Sequence, residues 1–490
     1  MDGDNLWLIL SFIIYTVGII TVGLYSARLR KKTSDDFVLA NRELGPWASA
    51  LSASASSESG WVMLGLVGAA YGTGAATFWI IPGIAAGYLF NWFFVAERLR
   101  KSTLDTGAVT LPQYIMHRFG PKSPALRFIS VVIIAVAMIA YVAAQMNAAG
   151  KAFEATFSIS YVWGVLAGAL IILAYTITGG FRAICWTDIV QAMFMVIALL
   201  GMPIVVLFHL GGYGEFLTRI QAASPDLLSF TFGKAGFTLL GFIVGYLGIG
   251  LGYPGQPHVL SRFMASRDKN TIRRGRVIAL TWMVLSYLGA VLFGLFARAY
   301  YGTISDPEQA LPLACGDLLP PLLGGFVIAA IVSAICSTAD SQLIVVSSTL
   351  SRDIWSLFKK NQTGESEDFR KTQWTDRLVL ILLAVLSIVL AASESRVIFE
   401  FVLYAWSVLG AAFGPVVILG LMWKGANKAG AIAGMLTGFV VTVVWKNIPA
   451  LKDAVYELVP AFILAFLAVV IVSLLAGNRD SEGGKVSDPA

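Results

Sequence analysis

The segment Leu51-Ser-Ala-Ser-Ala-Ser-Ser-Glu-Ser-Gly-Trp61 constrains this chain more than any other. Five serines and Glu58 interrupt a run that is otherwise largely apolar from Trp47 to Tyr71. In hydrocarbon an unsatisfied polar group costs several kcal/mol, and a mid-bilayer charge about 2.5–3.5 kcal/mol on insertion scales. Such a segment is tolerated where it lines a protein-buried or watery cavity. A helix broken there frees backbone carbonyls near the midplane, a good place to hold a small cation and a small solute.

The rest of the chain supplies the membrane. Of 490 residues 57% are hydrophobic and 13% charged, with mean hydropathy +0.76. A soluble domain carries about 25% charged residues. The net charge of +6 therefore does not point to nucleic acid. About thirteen apolar stretches reach spanning length. They lie near 6–26, 46–72, 76–96, 126–152, 160–178, 185–209, 235–257, 277–300, 321–350, 376–393, 397–422, 429–446 and 455–477. The first ends in Arg28, Arg30, Lys31 and Lys32, a stop-transfer pattern rather than a cleavable signal. With the amino terminus outside, all but seven of the 35 basic residues fall on the cytoplasmic side. The seven are Lys151, Arg219, Lys234, Arg298, Arg396, Lys446 and Lys452, and Arg262 is counted with the cytoplasmic loops. The expected organisation is one transmembrane domain over 1–477 and a polar cytoplasmic tail over 478–490.

A second interruption stands at Gly245-Tyr-Leu-Gly-Ile-Gly-Leu-Gly-Tyr-Pro-Gly-Gln-Pro-His258. Five glycines and two prolines do not make a straight helix. With the first helix set aside, the two interruptions fall in core helices 1 and 6. Five helices separate corresponding positions, so the second set begins with opposite topology, the pattern of an inverted-repeat transporter. The repeats are expected near 46–209 and 235–422. The glycines also fit close helix packing, although packing does not require Pro254 and Pro257.

Ser333, Ser337 and Ser341 share one face of core helix 8, with Thr338 beside it and Asp340 close by. Hydroxyl and carbonyl oxygens suit Na⁺; interhelical hydrogen bonding is the alternative use of the same hydroxyls. Asp188 reads either as an interfacial cap or as part of an ion pathway. Glu58 reads either as a functional carboxylate or as one hydrogen-bonded structurally to a neighbouring helix. Cys185, Cys315 and Cys336 show no metal-ligand spacing. His117, His209 and His258 assemble no metal motif, which speaks against an intramembrane enzyme. No pore signature or charged ring suggests a channel. A sensor would need an output domain, and none is expected after Ser473.

Several separate motifs carry a resemblance. They are Asn41-Arg-Glu-Leu-Gly-Pro46, Ala50-Leu-Ser-Ala53, Ser59-Gly-Trp61, Thr110-Leu-Pro112, Trp186-Thr-Asp188, Gly252-Tyr253, Gly255-Gln-Pro-His258, Ser261-Arg-Phe-Met264, Tyr404-Ala-Trp406 and Phe413-Gly-Pro415. Together, from about residue 8 to about residue 477, the chain resembles the bacterial sodium/proline symporters of the sodium:solute symporter family. The resemblance implies an all-α membrane protein with a LeuT-type core of five plus five inverted helices, one extra helix before and two after. It implies a bacterial cytoplasmic membrane, Na⁺ as coupling ion, no organic cofactor, and L-proline or another small amino acid or osmolyte as the solute.

The resemblance also carries residues over. Carbonyls of Ala55, Glu58 and Ala334 with the hydroxyls of Ser337 and Thr338 would hold sodium. Asp188 matches an acidic residue serving a second sodium site or an ion exit route, to which Asp340 and Ser341 are candidate additions. Substrate contacts would be Ser59, Gly60, Trp61, Tyr141, Tyr253 and Pro257, with Gln145 and Asn147 adding polarity nearby. Arg42 matches a cytoplasmic arginine linked to coupling. Three departures stand out: Ser57 replaces an aspartate, Glu58 a methionine, and Ile249 a tryptophan that lines the proline pocket. The missing carboxylate is expected to have moved to Glu58 or Asp340.

Overall fold

A computed structural model describes residues 3–28, 34–121, 123–354, 369–393 and 397–477. The expected polar tail lies outside them. Among the described residues eleven helices are long and apolar enough to cross a membrane. The sequence count of about thirteen divides two stretches differently. Pro46–Thr106 is one continuous helical path of 61 residues, where two spans were expected. At 1.5 Å per residue it is far too long for one crossing of about 30 Å. It folds back at Gly74, whose φ of 59° and approach to the Leu227 carbonyl leave no room for a side chain. The stretch Tyr161–His209 is likewise continuous through a kink at Gly180 (φ 63°), and its first part, Tyr161–Ala174, is short of spanning length.

The serine-rich helix does not unwind across 51–61 as expected. It runs Pro46–Gly60 with a break confined to Ser59 (φ 34°, ψ −179°), followed by a wide turn over Trp61–Leu66. The helix survives because its buried serines find partners off the apolar phase. Ser57 donates to the Ser54 carbonyl at 2.9 Å, and Ser56 pairs with Ser341 at 2.9 Å. Each bond replaces the water these hydroxyls lose on burial.

The second interruption is a tight 3₁₀ turn over Ile249–Gly255, extended backbone at Gln256, and a short helix Pro257–Met264. Its glycines serve both expected uses. They allow the irregular turn, and they allow close approach. A Cβ on Gly250 would stand 1.9 Å from the Gly83 carbonyl, and one on Gly252 would stand 2.0 Å from the Trp406 indole nitrogen.

Two helices form the centre: Pro321–Thr349, which carries Ser333 to Ser341, and Ile398–Met422. Within their apolar windows 78% and 89% of residues are buried, so neither faces lipid at length. The Gly3–Arg28 helix packs outside the centre and is tied to it by Tyr15 Oη and Ser333 Oγ at 2.5 Å. Large apolar side chains such as Phe237 and Leu475 remain exposed, as a lipid-facing belt requires.

Candidate functional site

Four predicted sodium ligands converge where the first broken helix meets the Pro321–Thr349 helix. Ser337 Oγ donates to the Ala55 carbonyl at 3.0 Å and lies 3.2 Å from the Ala334 carbonyl. Thr338 Oγ1 lies 3.3 Å from the Ala55 carbonyl and 3.0 Å from that of Ser56. Both hydroxyl residues are fully buried. Of these five oxygens, the three carbonyls lie within hydrogen-bond reach of Ser337 Oγ or Thr338 Oγ1, and hard oxygens of this kind suit a small monovalent cation. Ser56 joins this set without having been expected. The Glu58 carbonyl is engaged elsewhere, accepting from the Trp61 N–H beyond the break.

A small aromatic cavity lies alongside. Ser57, Trp61, Ile84, Tyr141, Ile249, Tyr253, Tyr287, Val402, Leu403 and Trp406 line a tight cavity of about 10 Å³. Trp61 stacks on Phe399 at 5.6 Å between centroids. Tyr253 meets Tyr88 and Trp406 edge-on at 4.7 and 4.8 Å. Trp406 donates Nε1 to the Ile249 carbonyl at 3.0 Å, so an indole stands beside Ile249 after all, supplied from another helix. The motif Tyr404-Ala-Trp406 held that signal, but nothing local assigns its indole to this cavity.

The other predicted substrate contacts divide. Trp61, Tyr141 and Tyr253 line the cavity. Ser59, Gly60 and Gln145 build the break behind it: Gln145 Oε1 accepts the Gly60 N–H at 3.0 Å, and Ser59 Oγ accepts the Trp61 N–H at 3.0 Å. Asn147 is buried in the same helix as Gln145. Pro257 does not join them. It lines a different cavity with Ser261, Met264, Thr110 and Leu111, nearer the end expected to face the cytoplasm. Replacing Tyr253 by alanine removes an aromatic wall and its hydroxyl. Solute concentration for half-maximal uptake should then rise about tenfold or more, with the Na⁺ requirement within about threefold of wild type. Parallel loss of Na⁺ dependence in transport assays would merge the two sites into one.

Glu58 sits between these features. Its side chain is fully buried. Tyr88 Oη donates to Oε1 at 2.5 Å and Tyr253 Oη at 3.4 Å, and Tyr287 flanks the same carboxylate. Oε2 has no hydrogen-bond partner among the described residues.

The second acidic cluster holds a cation of its own. Asp188 Oδ2 accepts from Ser52 Oγ at 2.5 Å and from Arg262 Nη2 at 3.3 Å, both charged side chains being fully buried. Arg262 also reaches Ser52 Oγ at 2.9 Å, the His258 carbonyl at 2.8 Å and Ser341 Oγ. Ser341 in turn donates to Asp340 Oδ1 at 3.1 Å. Asp188, Asp340 and Ser341 thus come together as expected of one site. Arg262, counted above with the cytoplasmic loops, is instead a buried residue of the core. Asp188 is therefore no interfacial cap.

Arg42 lies at the end expected to face the cytoplasm. It bonds Thr103, the Met264 carbonyl at 3.1 Å and the Ala108 carbonyl at 2.7 Å. Leu44 and Ser266 form a backbone bridge beside it, which ties these two segments together. At the opposite end, a wider cavity with Lys234, Glu400, Lys446 and Glu457 on its wall shares Ile249 and Leu403 with the aromatic cavity.

The sodium:solute symporter family model matches residues 37–438. The high-affinity proline transporter PutP of Bacillus subtilis is 39% identical over 457 residues, which cover 92% of this chain and 94% of that one. The chain belongs to the sodium:solute symporter family. The sodium/proline symporter of Escherichia coli is 37% identical over 96% of this chain and 93% of its own. Among solved structures, a Na⁺-coupled sialic acid symporter in a substrate-bound outward-open state superposes with a TM-score of 0.81, covering 96% of this chain and 97% of that chain at 20% identity. MhsT in complex with L-phenylalanine gives 0.55 at 13% identity, over 89% of this chain and 99% of that one. The fold is that of the LeuT-type transporters. Membership makes this multi-pass membrane protein a solute symporter with Na⁺ as the coupling ion, rather than an enzyme.

Proposed function

We propose that this symporter imports L-proline, or a solute of the same size and zwitterionic form, together with Na⁺ by alternating access. The observation that carries the reading is the adjacency of two unlike sites on one broken helix. Ala55 belongs to the hard-oxygen cluster with Ser337 and Thr338, while Ser57 and Trp61 belong to the aromatic cavity. A solute and a cation on either side of the Ser59 break can each stabilise the helix geometry the other needs, which is coupling in thermodynamic terms. Relatives named as proline transporters or symporters, at 35–39% identity, support the solute.

In this reading residues 1–477 form one transporter domain, with repeats near 46–209 and 235–422. The amino terminus lies outside a bacterial cytoplasmic membrane and the carboxyl terminus inside, a reading the distribution of Lys and Arg supports. Asp188, Asp340 and Ser341 lie on the cation's path toward the cytoplasm, and Arg42 helps hold that path closed. The wider cavity on the opposite side is the entrance.

One inward Na⁺ releases about 2.3 kcal/mol from a 100 mV potential and about 1.4 kcal/mol from a tenfold gradient. That supports roughly 500-fold accumulation of a net-neutral solute at one-to-one stoichiometry. Proteoliposomes loaded with potassium and placed in sodium should concentrate radiolabelled proline, and equal sodium on both sides should abolish accumulation. Uptake indifferent to the sodium gradient would sink the reading, as would accumulation of some other amino acid in a panel with none of proline.

A further inference from the structure

The wall of the aromatic cavity is polarised. Tyr88 and Tyr253 both direct their hydroxyl protons at Glu58 Oε1. A phenol has one proton, so these oxygens keep only lone pairs for any other partner. The single proton of Ser57 is taken by the Ser54 carbonyl at 2.9 Å or by Tyr88 Oη at 3.1 Å. The backbone donors at the break are also engaged, Gly60 N–H with Gln145 and Trp61 N–H with Ser59. Trp406 Nε1 is engaged with the Ile249 carbonyl. Trp61 Nε1 is a buried donor of the wall with no partner among the described residues, and the hydroxyls of Tyr141 and Tyr287 line the same cavity. Behind the acceptor side stands a buried carboxylate with an unpartnered Oε2 and no ion pair among the described residues.

Resting on the reading that this cavity holds the transported solute, we propose that Glu58 makes it an ammonium receptor: by taking the proton of Tyr253, with Tyr88 bonded to the same oxygen, it turns an acceptor oxygen and an aromatic face toward a protonated amine. The solute class is a small zwitterion. Its cationic nitrogen faces Tyr253 and Ser57, with aromatic faces adding cation–π attraction. Its carboxylate faces the Trp61 Nε1 donor. Glu58 acts through the tyrosines and is a positioning residue. The cation cluster at Ala55, Ser337 and Thr338 is built from other side chains, so the two charges need not share an ion.

The test compares two rings of one shape on purified full-length protein: L-proline and tetrahydrofuran-2-carboxylate, in which oxygen replaces the amine. Binding is read by competition against radiolabelled proline for wild type, Glu58→Gln and Glu58→Asp, and Na⁺ activation is measured on the same samples. Wild type should favour the amine ring by about 100-fold or more, because a site that presents acceptors leaves them unpaired against an ether. Glu58→Gln should cut that ratio to below about tenfold, Glu58→Asp should restore most of it, and Na⁺ activation should shift by less than about threefold in each. A merely structural role would weaken both ligands together and leave the ratio unmoved, which would overturn the proposal. So would a wild type that binds both rings equally or neither, and a Glu58→Gln that keeps the ratio while its Na⁺ requirement rises tenfold, which would make Glu58 a cation ligand. Gradient-driven uptake in proteoliposomes stands apart from these ratios: its absence in a wild type that discriminates the rings overturns symport and leaves the ammonium receptor standing.

Discussion

Changing Ser337 and Thr338 together to alanine should raise the Na⁺ concentration for half-maximal uptake about 100-fold. Each hydroxyl is fully buried and aimed at the carbonyls of Ala55, Ser56 or Ala334. An interaction with a full charge is worth about 1.5–3 kcal/mol per group, so two lost ligands give at least about 3 kcal/mol, or two decades. The single variants should each shift the requirement by roughly one decade. Folding should suffer less, since each alanine removes a neutral hydroxyl bond worth about 1 kcal/mol. Activation curves read alongside membrane-inserted protein levels separate the two effects. A double variant with wild-type sodium dependence would place the coupling ion elsewhere and leave these hydroxyls as helix-to-helix bonds.

The second large effect is expected at Arg262. Replacing it by glutamine leaves Asp188 buried without its cation, and breaking a buried pair from one side costs about 3–5 kcal/mol. The apparent unfolding temperature in detergent should drop sharply and uptake should be lost. Combining it with Asp188→Asn removes the stranded charge, so the double variant should be more stable than Arg262→Gln alone. Recovery will be partial, because Arg262 also bonds Ser341 and lies over the Phe181 ring at 4.8 Å. The coupling energy of the cycle is the quantity to measure. If the double variant is as unstable as the sum of the singles, the 3.3 Å contact carries no pairing energy and Arg262 holds its place by packing alone.

Arg262 also bears on the proposed ion path. The hydroxyl chain from the sodium cluster runs through Ser56 and Ser341 to Arg262 and Asp188. On the proposed path a leaving cation would meet the guanidinium of Arg262 on the short helix Pro257–Met264, on the far side of the second break. The first broken helix is joined to the short helix after the second break through Ser52, which accepts from Arg262 at 2.9 Å and donates to Asp188 at 2.5 Å, as well as by the cavity the two interruptions share.

What the sequence determined by itself is local. Apolar runs of spanning length, a serine run carrying Glu58, a Gly/Pro interruption and hydroxyls at Ser333, Ser337 and Ser341 are each readable within one helix, because side-chain burial repeats every 3.6 residues and broken helices need particular residues. The width of the first break was not readable: serine is a poor helix former in isolation, and only the packed neighbours that bond Ser52 and Ser56 keep the helix intact as far as Glu58. Partner choice was not readable either. Arg262 looks like a loop arginine by charge count, yet it is 74 residues from the Asp188 it neutralises. Tyr253 is 195 residues from the Glu58 it donates to, and Trp406 is 157 from the Ile249 carbonyl it caps. Composition and periodicity say that a buried charge must find a partner, because leaving it unpaired in low dielectric is too costly. Which partner it finds is decided by which helices the close-packed core brings within 3 Å, and that is a property of the tertiary structure alone.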